Sequence, residues 1–139
     1  MNIRSFESRD TDAVIALWQA CDLTRPWNNP ALDIQRKCAV GDDLFLVCEE
    51  DGQITGSVMA GYEGHRGWIN YLAVAPGLRN SGLGRRLMEE VERRLLALGC
   101  PKINLQVRQG NDAVIAFYEA IGFSDDHCTS LGKRLIPDN

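Results

Sequence analysis

Histidine is scarce in this 139-residue chain. His65 and His127 lie far apart, with no companion at metal-ligand spacing, and neither a GxSxG nor a cysteine–histidine pattern accompanies them, so metal and serine-hydrolase chemistry gain little support and no metal is expected. CxxC is missing as well. The five cysteines, Cys21, Cys38, Cys48, Cys100 and Cys128, are odd in number and widely spaced, which favours free thiols in a reducing compartment over a disulfide framework. No window approaches the ~18 apolar residues of a membrane span, and MNIRSFESRD lacks the apolar core of a signal peptide, so a cytoplasmic protein with no membrane partner is expected. Positive charge is also in deficit: 15 Lys and Arg against 19 Asp and Glu leave a net −4, with a pI of about 5.1. Such a field repels polyanions and argues against a nucleic-acid partner; any anion must be bound locally. With no repeat, low-complexity stretch or linker, and 45% hydrophobic residues, the chain reads as one domain, 1–139, with one core.

The elements follow from periodicity and turn residues. NIRSF reads as a short strand, and Asp10 as the N-cap of a helix with Val14, Leu17, Trp18 and Cys21 on one face. After the loop 24–30, bracketed by Pro26 and Pro30, a second short helix is predicted over 32–40. LFLVCEE and QITGSVMAGYE form a hairpin at Asp51-Gly52, and WINYLAV closes at Ala75-Pro76. The longest helix is predicted over 82–98, KINLQV is a strand, NDAVIAFYEAIG a helix between caps Asn111 and Gly122, and HCTSLGKRLI one more strand or a bent pair. The result is an α/β (α+β) fold, a mixed sheet with helices packed on it.

One stretch contradicts its own helix. In RNSGLGRR, residues 79–86, Ser81 is the expected N-cap, so Gly82 and Gly84 fall in the first turn, each costing roughly 1 kcal/mol against alanine. Arg85 and Arg86 then crowd the positive pole of the macrodipole. A negative group docked at this terminus resolves both conflicts: glycines let backbone N–H groups approach it, and the arginines meet a compensating charge. The plainer reading is a tight turn with Arg85 and Arg86 paired to Glu89 and Glu90. If the anion is a phosphate, it is not held by a Walker loop, which needs Gly-Lys before Ser or Thr. Nor is it held by the dinucleotide fingerprint, whose third glycine position is Leu87.

LAVAPGLRNSGLGRRLM resembles the acetyl-coenzyme A signature of the GNAT superfamily of N-acetyltransferases, R/Q-x-x-G-x-G/A directly after a strand, here Arg79, Gly82 and Gly84. NDAVIAFYEAIGF is similar to the family's N-x-x-A-x-x-x-Y-x-x-x-G-F element, with its alanine displaced to Ala113 or Ala116. CDLTRPWNNP, LFLV, GHRG, GCPKI and SLGKRLI extend the likeness over nearly the whole chain, towards small bacterial YpeA-type acetyltransferases. The resemblance implies a mixed, mostly antiparallel twisted sheet flanked by about four helices, in which WINYLAV and KINLQV form a central parallel pair that splays apart to admit acetyl-coenzyme A. It further implies that Leu72, Ala73 and Val74 pair with the pantetheine arm, and that Arg79, Asn80, Ser81, Gly82, Leu83, Gly84 and Arg85 surround the pyrophosphate. Asn111, Phe117 and Tyr118 then lie beside the cofactor, although Asn111 serves equally as a helix cap.

The implied chemistry is attack of an amine on the thioester carbonyl, through a tetrahedral oxyanion, with release of a thiol of pKa near 8.5. Tyr118 takes the place of the family's general acid; its spacing with Val114, Phe117 and Ile121 also fits a core position. A backbone N–H from Leu72, Ala73 or Val74 polarises the carbonyl. Where several relatives read L-E-V-R, this chain has Leu105-Gln106-Val107-Arg108, and glutamine cannot act as base; Glu63, or Tyr71 through a water, are substitutes. The acceptor site implied by the family comprises Trp27, Asn28, Asn29 and Tyr71, with Asp125, Asp126 or His127 from near the C-terminus; Trp27 either forms a rim or staples its loop to the core. The acceptor is a primary amine of a small molecule or a protein N-terminus, and a homodimer is left open. A non-catalytic acyl-coenzyme A-binding module, a sensor or subunit, is the alternative that Gln106 keeps alive.

Overall fold

The computed structural model describes residues 1–138. Strands β1 (Asn2–Ser5), β2 (Phe45–Glu50), β3 (Gln53–Tyr62), β4 (Gly67–Val74) and β5 (Ile103–Leu105) form one sheet in that order. All neighbours run antiparallel except β4 and β5. Helices α1 (Thr11–Ala20) and α2 (Pro30–Val40) cover one face, α3 (Leu83–Ala97) and α4 (Asp112–Ala120) the other. LFLVC is a continuous apolar run because both faces of β2 are buried: Phe45 and Val47 meet Trp18 and Ile34, while Leu46 and Cys48 meet Leu83 and Leu87. The β2–β3 hairpin turns at Asp51 (φ 51°) and Gly52 (φ 77°), the two left-handed positions that Asp-Gly favours.

Several boundaries differ from the sequence reading. Helix α2 starts at Pro30, because Asn29 caps it by accepting from the Leu32 N–H (3.2 Å) and proline suits the first helical position. The α3 N-cap is Gly82 rather than Ser81, and no side chain caps that end. KINLQV contracts to three paired residues, and HCTSLGKRLI forms no strand. Side chains hold that last segment beside β5 instead: Asp126 accepts from Lys102 (2.8 Å) and Asn104 (3.2 Å), and Gln106 donates to Ser130. Leu131 and Leu135 are 90% and 84% exposed, so no burial of apolar surface offsets the entropy of ordering a ladder there.

Asp10 stands at the α1 N-cap without capping it by its side chain. Its carboxylate, 4% exposed, takes two hydrogen bonds from Arg4 (2.8 and 2.9 Å) and one from the Glu7 N–H (2.8 Å). Arg4 also reaches Glu49 (2.8 Å), tying β1 to β2. The Arg4 guanidinium holds the Asp10 carboxyl below its usual range. Its contribution is therefore present above the ordinary carboxylate pKa and lost as pH falls through the depressed one. Asp10→Asn should cost about 3 kcal/mol at pH 7, lowering Tm by about 10 °C. Urea unfolding of both forms should show that gap closing in acid, and a gap independent of pH would refute the assignment.

Candidate active site

The parallel pair is joined only over Gly67–Ile69 and Ile103–Leu105, register Gly67 to Ile103 through Ile69 to Leu105. Beyond it β4 runs on to Val74 while β5 has ended, which leaves a split in the sheet. The Ala75 N–H donates to Thr55 on the β3 side (2.8 Å), so strand alternation turns the peptide groups of Val74 towards the split. The Cys21 thiol donates to the Val74 carbonyl (3.2 Å).

At the mouth of the split, β4 is broken by a bulge. Ser57 faces Ala73 but Met59 faces Asn70, so two residues, Tyr71 and Leu72, stand opposite Val58. Tyr71 has φ 52°, a conformation uncommon for a bulky residue. The slip reverses the faces: Ile69 packs under α3, yet Tyr71 and Ala73 pack with α1, and Leu72 and Val74 take over the α3 side. Three contacts impose this geometry. Trp18 stacks on the Tyr71 ring with centroids 3.8 Å apart, its indole donates to the buried Ser57 hydroxyl (2.9 Å), and Ser57 in turn donates to the Tyr71 carbonyl (3.4 Å). The Tyr71 hydroxyl donates to Asp33 on α2 (2.5 Å). Burial first, then Asp33, hold the Tyr71 phenol far above its usual pKa, so it stays protonated.

The start of α3 faces the same end of β4. Asn80 (φ 64°) and Gly82 (φ 86°) are both left-handed, and among the described residues the N–H groups of residues 79–85 meet no protein acceptor. The two glycines have different duties. A Cβ on Gly82 would meet open space, so its need is conformational; a Cβ on Gly84 would lie 3.2 Å from the Phe117 ring and 3.6 Å from Val74, so its need is packing. Of the plainer salt-bridge reading, Arg85–Glu89 (3.4 Å) forms on the surface, while Glu90 pairs with Arg93 and Arg94 rather than Arg86. Tyr118, 8% exposed, stands edge-on to Phe117 and Phe123, and burial pushes its phenol up to about 12. Asn111 caps α4 by accepting from the Val114 N–H (3.4 Å).

The other expected residues scatter. Glu63 lies in the β3–β4 turn, at the far end of β4 from the bulge, where its carboxylate accepts from the N–H groups of His65 and Arg66. Trp27 is 52% exposed with the Arg108 guanidinium 5.8 Å above its ring, so it does not staple the loop to the core. Asn28 accepts from Arg134 (2.6 Å). Asp125, Asp126 and His127 are exposed, and Asp126 is bound to Lys102. Sequence reasoning missed Asp33, Ser57 and Asp138; the buried Asp138 takes Arg36 in a paired bond (2.9 and 3.1 Å), which holds its carboxyl below the usual range.

The Acetyltransferase (GNAT) family model matches residues 12–123. An acetyltransferase of Pectobacterium atrosepticum is 53% identical over 138 residues, covering 99% of this chain and 98% of that protein. Among solved structures, Ard1 from Thermoplasma volcanium matches at 27% identity with a TM-score of 0.76, over 88% of this chain and 82% of that one. AAC(6')-Iy in complex with a coenzyme A bisubstrate analogue shares the fold at 16% identity and a TM-score of 0.76, over 97% and 98% of the two chains. A split mixed sheet of this kind, in a chain with these relatives, defines an acyltransferase. It belongs to the GNAT acetyltransferase family.

Proposed function

We propose that this protein transfers the acetyl group of acetyl-coenzyme A to a primary amine, on a small molecule or a protein N-terminus, by direct attack of that amine. The reading is carried by one convergence: at Gly84 the uncapped first turn of α3 lies beside Val74 at the open end of β4 and beside Phe117 of α4, the sequence neighbour of the buried Tyr118. The bisubstrate analogue held by AAC(6')-Iy supports the donor. The local residues fit it, since the N–H groups of Gly82, Leu83, Gly84 and Arg85 suit a diphosphate, with Arg79, Asn80 and Ser81 leading in. Val74 turns main-chain groups to the split for the pantetheine amides, with Leu72 alongside, Ala73 anchoring the strand to Ser57 on β3, and Asn111 and Phe117 flanking.

When bound, acetyl-coenzyme A supplies a thioester. Tyr118, protonated throughout the physiological range, gives its proton to the departing sulfur. A main-chain N–H beside the bulge hydrogen-bonds the carbonyl oxygen. The proton of the amine passes to the Tyr71 oxygen as the Tyr71 proton moves to Asp33, which makes Asp33 the acceptor in place of Glu63. Gln106 holds the C-terminal segment and takes no part.

Thiol release from acetyl-coenzyme A across a panel of primary amines, beside a titration of the cofactor alone, tests the assignment. Amine-dependent release is expected, whereas tight binding without it would leave a binding module. Asp33→Asn should lower kcat about 10-fold at pH 7, with activity recovering as pH rises towards the pKa of the acceptor. An unchanged pH–rate profile would remove Asp33 from the relay.

A further inference from the structure

We propose that the acceptor amine carries an oxyanion, and that the pocket between the 24–30 loop, α2 and the C-terminal segment holds it. The proposal rests on the transferase reading above. The pocket is an open groove of about 680 Å³, a volume within the range of small-ligand sites. Its walls are Trp27, Arg36, Lys133, Arg134, Leu135 and Ile136.

Two contacts join this pocket to the bulge. Arg36 lies 3.7 Å from Asp33, which takes the Tyr71 hydroxyl. An amine beside Tyr71 can therefore extend its remaining atoms along α2 towards Arg36.

The charge of the pocket selects what those atoms are. Its carboxylates are already engaged: Asp33 by Tyr71, and the buried Asp138 by Arg36, by Arg134 at 3.8 Å and by the Asn29 N–H. Lys133 in the wall and Arg108 above Trp27 pair with no carboxylate among the described residues. In a protein of net charge −4, that leaves a local positive field with an indole face for an apolar stem. A diamine would meet repulsion there, and a plain alkylamine would gain nothing from the cations.

The test uses ω-amino carboxylates of increasing length and aminoethyl phosphate, each against the alkylamine of equal length and the matching diamine. For at least one spacer, kcat/KM should favour the oxyanion about 10-fold. Lys133→Glu should bring that ratio to one or below, and Lys133→Arg should keep it. The carboxylate and phosphate arms report which oxyanion is preferred. A ratio near one at every length, or a preference for diamines, overturns the proposal. An independent readout is the Trp27 indole N–H resonance, assigned with Trp27→Phe, which should shift saturably with the oxyanion and not with the alkylamine. If that resonance responds while no amine releases thiol, the transferase reading falls and the pocket stands. If thiol is released but neither the ratio nor the resonance discriminates, the pocket falls; silence in both assays also overturns it.

Discussion

Tyr118→Phe should lower kcat about 100-fold while leaving the affinity for acetyl-coenzyme A within a factor of two. The expectation follows from what the substitution removes. The ring edges against Phe117 and Phe123 are kept, so the α4 packing survives and only the hydroxyl is lost. Burial keeps that hydroxyl protonated at every pH where the protein works, so it is a donor. A coenzyme A thiol of pKa about 8.5 is a tolerable leaving group even as thiolate, which puts the loss at the low end of the range for general acids. Single-turnover acetyl transfer with saturating donor is the measurement, and equal rates would remove Tyr118 from the mechanism.

Gly82→Val should weaken acetyl-coenzyme A about 100-fold, with little change in kcat at saturation. Gly82 holds φ 86°, where a β-branched residue is strained by about 1–2 kcal/mol. The backbone relieves that strain by turning the first N–H groups of α3 away from their common focus, and each charge-assisted hydrogen bond lost costs about 1.5–3 kcal/mol. Gly84→Val is the informative companion. Its Cβ meets the Phe117 ring, so it should displace α4 and reduce Tm as well as affinity, whereas Gly82→Val should reduce affinity with a smaller change in Tm. Calorimetric titration beside thermal unfolding separates the two, and undiminished affinity in Gly82→Val would argue against an anion at this helix start.

Those two glycines mark how far the sequence could be read. Their conflict with helix propensity was visible in RNSGLGRR, and the structure gives each a physical cause. Strands β1 to β4 and all four helices follow from apolar spacing and turn residues, because each element buries a face that its own residues declare. The bulge could not be read, since Tyr71 to Val74 are apolar throughout and fit either register; only Trp18 and Ser57, distant in sequence, decide between them. Asp33 was hidden for the same reason, because its partner lies 38 residues away across the fold. HCTSLGKRLI has the composition of a strand, but composition does not tell a segment whether a ladder partner comes within reach.

The sheet also separates two obligations. What would grip the donor is contributed by α3, α4 and the outer end of β4, and what would greet the acceptor by α1, α2 and the chain's last residues. On the proposed function, substitutions around Trp27 and Lys133 should therefore drift, or be redrawn by an engineer, towards new amines without disturbing the half of the molecule proposed to hold coenzyme A.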